Sequence, residues 1–122
     1  MLRSIFSGLL ISSLGVVGLA TQPAQAAACT EASHYGVGDG FHGARTASGE
    51  RFDAYALTAA HKTLPFGARI RVVNQINGKS VIVRVNDDGP HVYGRSLDLS
   101  YGAFSKIASP SSGVASVCYS RI

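Results

Sequence analysis

Two alternating runs set the architecture of this chain. Ala68–Asn74 (ARIRVVN) and Ser80–Asn86 (SVIVRVN) are rich in β-branched residues and flank Asn77-Gly78. In the first run Ile70 and Val72 alternate with Arg69 and Arg71. In the second, Val81, Val83 and Val85 share one face, while Ile82 and Arg84 take the other. Period-two alternation marks strands with one buried face, and Asn-Gly accepts the positive φ of a tight turn. A hairpin is expected, ending at Asp87-Asp88-Gly89-Pro90, where proline cannot continue a ladder.

The remaining segments fit around that hairpin. Leu57–His61 is a short apolar run, and Val114–Ile122 (VASVCYSRI) alternates like a last strand. Gly36–Gly40, Thr46–Glu50 and Pro65-Phe66-Gly67 read as turns. Tyr101–Ala108 has a helical pattern, with Ser100 as N-cap and Phe104 and Ile107 on one face. Ser109-Pro110-Ser111-Ser112-Gly113 breaks it. About six or seven short strands and one helix point to a small barrel, because a parallel sheet would need more helices.

The first residues do not belong to that barrel. Arg3, the apolar stretch Ile5–Leu19 and the small residues Ala24 and Ala26 form a secretory leader, cleaved after residue 26. The apolar stretch is about 15 residues, short of the ~20 that a membrane span needs. No transmembrane span is expected in the mature form, and residues 29–122 read as one domain. Without Arg3, ten of the 11 Lys and Arg remain against seven Asp and Glu. That mild positive charge suits a polyanionic wall polymer. No Lys/Arg-rich run is present, so a nucleic-acid partner is not expected.

Cys29 and Cys118 stand near opposite ends of the mature chain. In an oxidising compartment such a pair reads as a disulfide, and closing a loop of about 90 residues contributes on the order of 4 kcal/mol in the chain-entropy treatment. The alternative is a lipid on Cys29, since Ala26-Ala27-Ala28-Cys29 has some likeness to a lipobox; Cys118 would then be free. His34, His42, His61 and His91 have no metal-ligand spacing, so no metal and no cofactor are expected.

Five stretches then carry a resemblance: Ala32–Gly36 (ASHYG), Phe41–Phe52 (FHGARTASGERF), Leu57–Gly67 (LTAAHKTLPFG), Asn86–Pro90 (NDDGP) and Gly94–Ser100 (GRSLDLS). In this order and spacing they resemble the rare lipoprotein A family, over nearly all of residues 32–119. The resemblance implies a six-stranded double-psi β-barrel with a shallow sugar-binding groove. It implies an endolytic lytic transglycosylase that cleaves the MurNAc–GlcNAc β-1,4 bond of peptidoglycan glycan strands. The sugar's own C6 hydroxyl attacks C1 and leaves a 1,6-anhydro end. A periplasmic or envelope location and a monomeric state are expected. The alternative is a non-catalytic, expansin-like glycan-binding or wall-loosening module, which shares the barrel.

Most glycosidases use two carboxylates. A lytic transglycosylase uses an internal nucleophile, so one carboxyl with a raised pKa can act first as acid and then as base. Among Glu31, Asp39, Glu50, Asp53, Asp87, Asp88 and Asp98, the resemblance favours Asp87 as the catalytic group, with His61 to orient or protonate it or to contact substrate. Asp98, Glu50, Tyr35 and His42 are the expected substrate-binding residues. For Asp98, helix capping or a salt bridge to Arg95 stands beside that role; for Glu50, a structural one. Phe41 is a further candidate for stacking on sugars. The sequence departs from the family at Asp88, where Arg is usual, and at His91, where an aromatic is usual. It also shows no C-terminal peptidoglycan-binding module of the kind many members carry, which speaks against septal targeting.

Overall fold

The computed structural model of the protein describes residues 27–122; the expected leader lies outside the described residues. Six strands form a closed barrel: β1 Ala28–Tyr35, β2 Thr58–His61, β3 Arg69–Asn74, β4 Ser80–Asp87, β5 Arg95–Ser100 and β6 Val114–Arg121. Their order around the barrel is β1-β5-β2-β4-β3-β6. β1 runs parallel to β5, and β2 parallel to β4. The other four seams are antiparallel.

The alternation read from the sequence decides which faces turn inward. Ile70, Val72, Val81, Val83 and Val85 are buried, while Arg69, Arg71 and Arg84 are exposed. Val72 pairs with Val81 and Ile70 with Val83. Leu97, Leu99, Val117 and Ala59 fill the same core from the other strands. Each fully buried Val, Leu or Ile side chain among them contributes about 1.5–3 kcal/mol. The hairpin connection departs from a two-residue turn. Asn74 N–H donates to Lys79 O and Gly78 N–H to Asn74 O, both at 2.8 Å, so the loop spans Gln75–Gly78. The reason is that both asparagines are used elsewhere. Nδ2 of Asn74 and of Asn77 donate to the Ile107 carbonyl, at 2.8 and 3.0 Å, and so close the C-terminal end of the helix.

That helix, α1, is Tyr101–Ile107. Ser100 caps it as expected: its Oγ accepts from Ala103 N at 3.1 Å and donates to Ala56 O at 2.6 Å. Ala103, Phe104 and Ile107 are buried against the barrel. Gly102 is needed because a Cβ there would lie 2.6 Å from Tyr55 O. A short 3-10 turn, Pro110–Ser112, leads into β6.

Cys29 and Cys118 are opposite one another in the β1–β6 ladder and are joined by a disulfide. The sulfur that a lipid would occupy is thus bonded to Cys118 in this structure. Among the described residues no helix is long and apolar enough to cross a membrane.

Candidate active site

The two parallel seams bring distant residues into one row. Ser33 of β1 pairs with Asp98 of β5, Asp98 with Ala60 of β2, and Ala60 with Asp87 of β4. Asp98 and Asp87 therefore stand two strand spacings apart, ~9–10 Å between backbones, with a single methyl group between them. The small side chain of Ala60 leaves open a groove of about 260 Å³, lined also by Tyr35, Phe41, Arg45, Asp88 and Pro90. A slight register shift between Ala59 and Ala60 sets this row.

Asp87 is held at the end of β4 by three donors. Tyr35 Oη donates to Oδ2 at 2.9 Å, and the amides of Ala47 and Asp88 donate to Oδ1, each at 2.9 Å. Every one of these contacts places the carboxylate as acceptor. Tyr35 is itself fixed by stacking on Phe52, with ring centroids 4.4 Å apart, and by the edge of Phe41 at 5.8 Å. Gly36 permits this: it turns the chain out of β1 with φ of 117°, and a Cβ would lie 2.6 Å from the Phe52 ring. Burial, then the hydrogen bond to Asp87 and its charge, push the Tyr35 phenol well above its ordinary pKa, so it remains a donor. Asp39 ties down the loop that carries Phe41, accepting from Gly36 N at 2.8 Å and Phe41 N at 3.1 Å.

Asp98 is in a different environment. Its Oδ1 accepts from Ser33 Oγ at 3.0 Å. Burial raises its pKa above the ordinary carboxyl value, and the Ser33 bond and the charge of Arg95 oppose that rise without reversing it. It does not cap α1, since Ser100 does, and it forms no ion pair with Arg95 among the described residues. The groove thus holds a carboxyl inclined to keep its proton and a carboxylate ringed by donors.

The other expected site residues lie elsewhere. Glu50 is outside the groove, in a bidentate pair with Arg84 at 2.8 and 2.9 Å and accepting from Asn86 Nδ2 at 3.1 Å. These bonds lower its pKa to about 2. Glu50 braces the turn whose Ala47 amide reaches Asp87, so it acts on the groove through that turn. His42 is exposed; its Nδ1 accepts from Ala54 N at 3.1 Å, and its ring meets the edge of Tyr55 at 5.9 Å. The pairing of His61 with Asp87 does not occur. Ala60 faces the groove, so its neighbour His61 faces the other side of β2. There its Nε2 lies 2.6 Å from Tyr119 Oη, and its Nδ1 accepts from the amides of Thr63 and Leu64 at 3.0 Å each. Burial, with some help from Lys62, lowers its pKa.

Sequence reasoning missed Ser33, Ala60 and Arg45. No local pattern marks them; the parallel pairing of β1 with β5 and of β2 with β4, and the antiparallel pairing of β2 with β5, bring Ser33 and Ala60 to the acids.

Barrel, seams and acidic groove together define a double-psi β-barrel of the lytic transglycolase class: a family model of that description matches residues 27–119. The chain belongs to this family and is an RlpA-type domain. It is 61% identical over 80 residues to the probable endolytic peptidoglycan transglycosylase RlpA of Synechocystis, covering 66% of this chain and 25% of that protein. Over 86 residues it is 54% identical to the endolytic peptidoglycan transglycosylase RlpA of Pseudomonas aeruginosa, covering 70% of this chain and 25% of that one. It therefore spans about a quarter of the length of these curated relatives. Among solved structures, the Streptomyces papain inhibitor superposes with TM-score 0.64 at 23% identity, over 82% of this chain and 97% of that one. The apo expansin of Clavibacter michiganensis superposes with TM-score 0.64 at 22% identity, over 80% of this chain and 50% of that one. These structural likenesses concern the fold.

Proposed function

We propose that this domain cleaves the β-1,4 bond between MurNAc and GlcNAc in peptidoglycan glycan strands without water, as an endolytic transglycosylase of the cell envelope. The observation that carries the reading is the pairing of Asp98 and Asp87 in one groove, in environments that differ in the required sense. Burial favours the protonated form of Asp98, and Asp87 accepts three hydrogen bonds, so the groove supplies an acid and an acceptor of positive charge.

Asp98, protonated, donates to the O4 oxygen of the departing GlcNAc as the C1–O4 bond breaks. The Asp87 carboxylate, steadied by Tyr35 and the Ala47 amide, faces the positive charge that develops at C1. The C6 hydroxyl of the same MurNAc then attacks C1, and its proton passes to Asp98. The 1,6-anhydro ring closes and the acid is restored. This assigns proton transfer to Asp98 and charge stabilisation to Asp87. Tyr35 is a positioning residue, and Glu50 braces the turn at one remove. His61 has no part in the transfer. A monomer suffices, since every group named lies in one chain.

The alternative, a glycan-binding module without turnover, draws on the exposed Tyr55, whose ring meets His42 and, at 6.1 Å, Tyr101. Sugar rings stack on such surfaces. Purified protein incubated with sacculi, intact and amidase-stripped, separates the two readings. Soluble anhydro-ended glycans that disappear in Asp98→Asn and Asp87→Asn support the enzyme. Retention on sacculi with no product from either substrate supports the binder. Products with a free C1 hydroxyl mean hydrolysis.

A further inference from the structure

A second concave site lies on the far side of β2 and has no role in the reaction above. His61 follows Ala59 on the inward face of its strand, and its ring reaches a cavity of about 320 Å³ lined by Thr63, Leu64, Tyr119, Ser120 and Arg121. That volume is at the lower edge of the range for small-molecule sites. Among the described residues no carboxylate lines it, in contrast to the groove, which has three.

The hydrogen bonds fix which way the protons point. Nδ1 of His61 accepts two backbone amides, so it carries no proton, and the ring proton is on Nε2. Nε2–H therefore donates to Tyr119 Oη at 2.6 Å. With its oxygen occupied as acceptor, the Tyr119 hydroxyl has its own O–H left to donate into the cavity. Arg121 and Thr63 line the same space, while Ser120, paired with the exposed Arg71, borders it through its backbone. Leu64 adds an apolar wall. The cavity presents a guanidinium, an oriented phenol and one aliphatic hydroxyl, with no fixed anion among the described residues.

We propose that this cavity is a carboxylate-binding site, taking a small organic acid whose carboxylate meets Tyr119 Oη and Arg121 and whose apolar part packs on Leu64. The proposal stands whether or not the groove turns over glycan, because it is read by binding alone. Two probes supply the carboxylate from different sources: N-acetylmuramic acid, a sugar acid, and N-acetyl-D-alanyl-D-alanine, a peptide terminus. The disulfide-bonded protein is titrated with each by ¹H–¹⁵N NMR, with the dipeptide carboxamide as control. Saturable shifts of the Thr63, Leu64 and Ser120 amides by either acid, absent with the carboxamide, are expected. A response to one acid only identifies the source. Tyr119→Phe and Arg121→Gln should each weaken binding about five-fold or more, as loss of a charge-assisted hydrogen bond does. Arg121 is exposed, so its variant decides the matter even where Tyr119→Phe impairs folding. The proposal is overturned when neither acid shifts these amides, when the carboxamide binds as well, or when Arg121→Gln binds like the unaltered protein.

Discussion

Ala60 and His61 are neighbours in the chain and belong to different worlds. The face of β2 that carries Ala60 looks onto a groove with Asp87, Asp88, Asp98 and one cation, Arg45. The face that carries His61 looks onto a cavity of hydroxyls and a guanidinium. A strand turns successive side chains to opposite sides, so nearness in sequence here means separation in space. Meanwhile Ser33, Ala60, Asp87 and Asp98, spread over most of the domain, share one row. Chemistry in this barrel is therefore assembled across strands and kept apart along them.

The contrast can be broken most forcefully at the acid. Asp98→Asn should lower turnover on amidase-stripped sacculi by ~10²–10⁴-fold, the span of general acid–base catalysis; a variant with more than a tenth of the parent rate would refute the assignment. Ala60→Leu fills the floor between the two acids. It should reduce turnover roughly 10–100-fold, in line with steric discrimination of 1–3 kcal/mol, while leaving carboxylate shifts at Thr63 and Ser120 unchanged. If both sites fail together, they are not independent. Tyr35→Phe keeps the stack on Phe52 and removes one donor to Asp87. A loss of about tenfold in turnover and about 1 kcal/mol in stability is expected, seen by product assay and denaturant titration.

Smaller effects separate the two faces by pH. Asp98 has its folded pKa raised by burial, so the folded state binds its proton more tightly than the unfolded chain. Stability then declines as pH rises from about 3.9 through the folded value. Asp98→Asn escapes that decline and should melt a few degrees above the parent at neutral pH, with the gain gone near pH 3. His61 has the opposite sign. Its pKa is lowered by burial, so stability is complete above about 6.5 and falls as pH drops through the window beneath it. His61→Gln should flatten the parent's loss of melting temperature between neutral pH and pH 5. An unaltered slope would mean that another group titrates there.

Much of the scaffold was legible in the residues. The hairpin faces follow from Ile70, Val72, Val81, Val83 and Val85, because burial on one side writes itself as alternation. Ser100 and Phe104 announced the helix, and the two cysteines their bond. The site was less legible. Asp87 could be placed in it from its motif, and Tyr35 with it. Its relation to Asp98 depends on the parallel β2–β4 seam and the antiparallel β2–β5 seam, both joining strands distant in sequence with no turn between them to mark the pairing. His61 was expected beside Asp87 because both lie near strand ends; the parity of β2 sends it the other way. Asn77 was read for its backbone freedom, when its side chain was needed to hold the end of α1.

The bond between Cys29 and Cys118 rivets the first strand to the last, close to where the chain enters and leaves the barrel. Tension applied through polypeptide attached on either side would run across that covalent bridge and bypass the ladder between them. The strands that carry Ala60, Asp87 and Asp98 would feel little of it. Tethered on both sides, the cleft keeps its shape while its anchors are pulled, and reduction would turn the same pull into an unzipping force on the barrel.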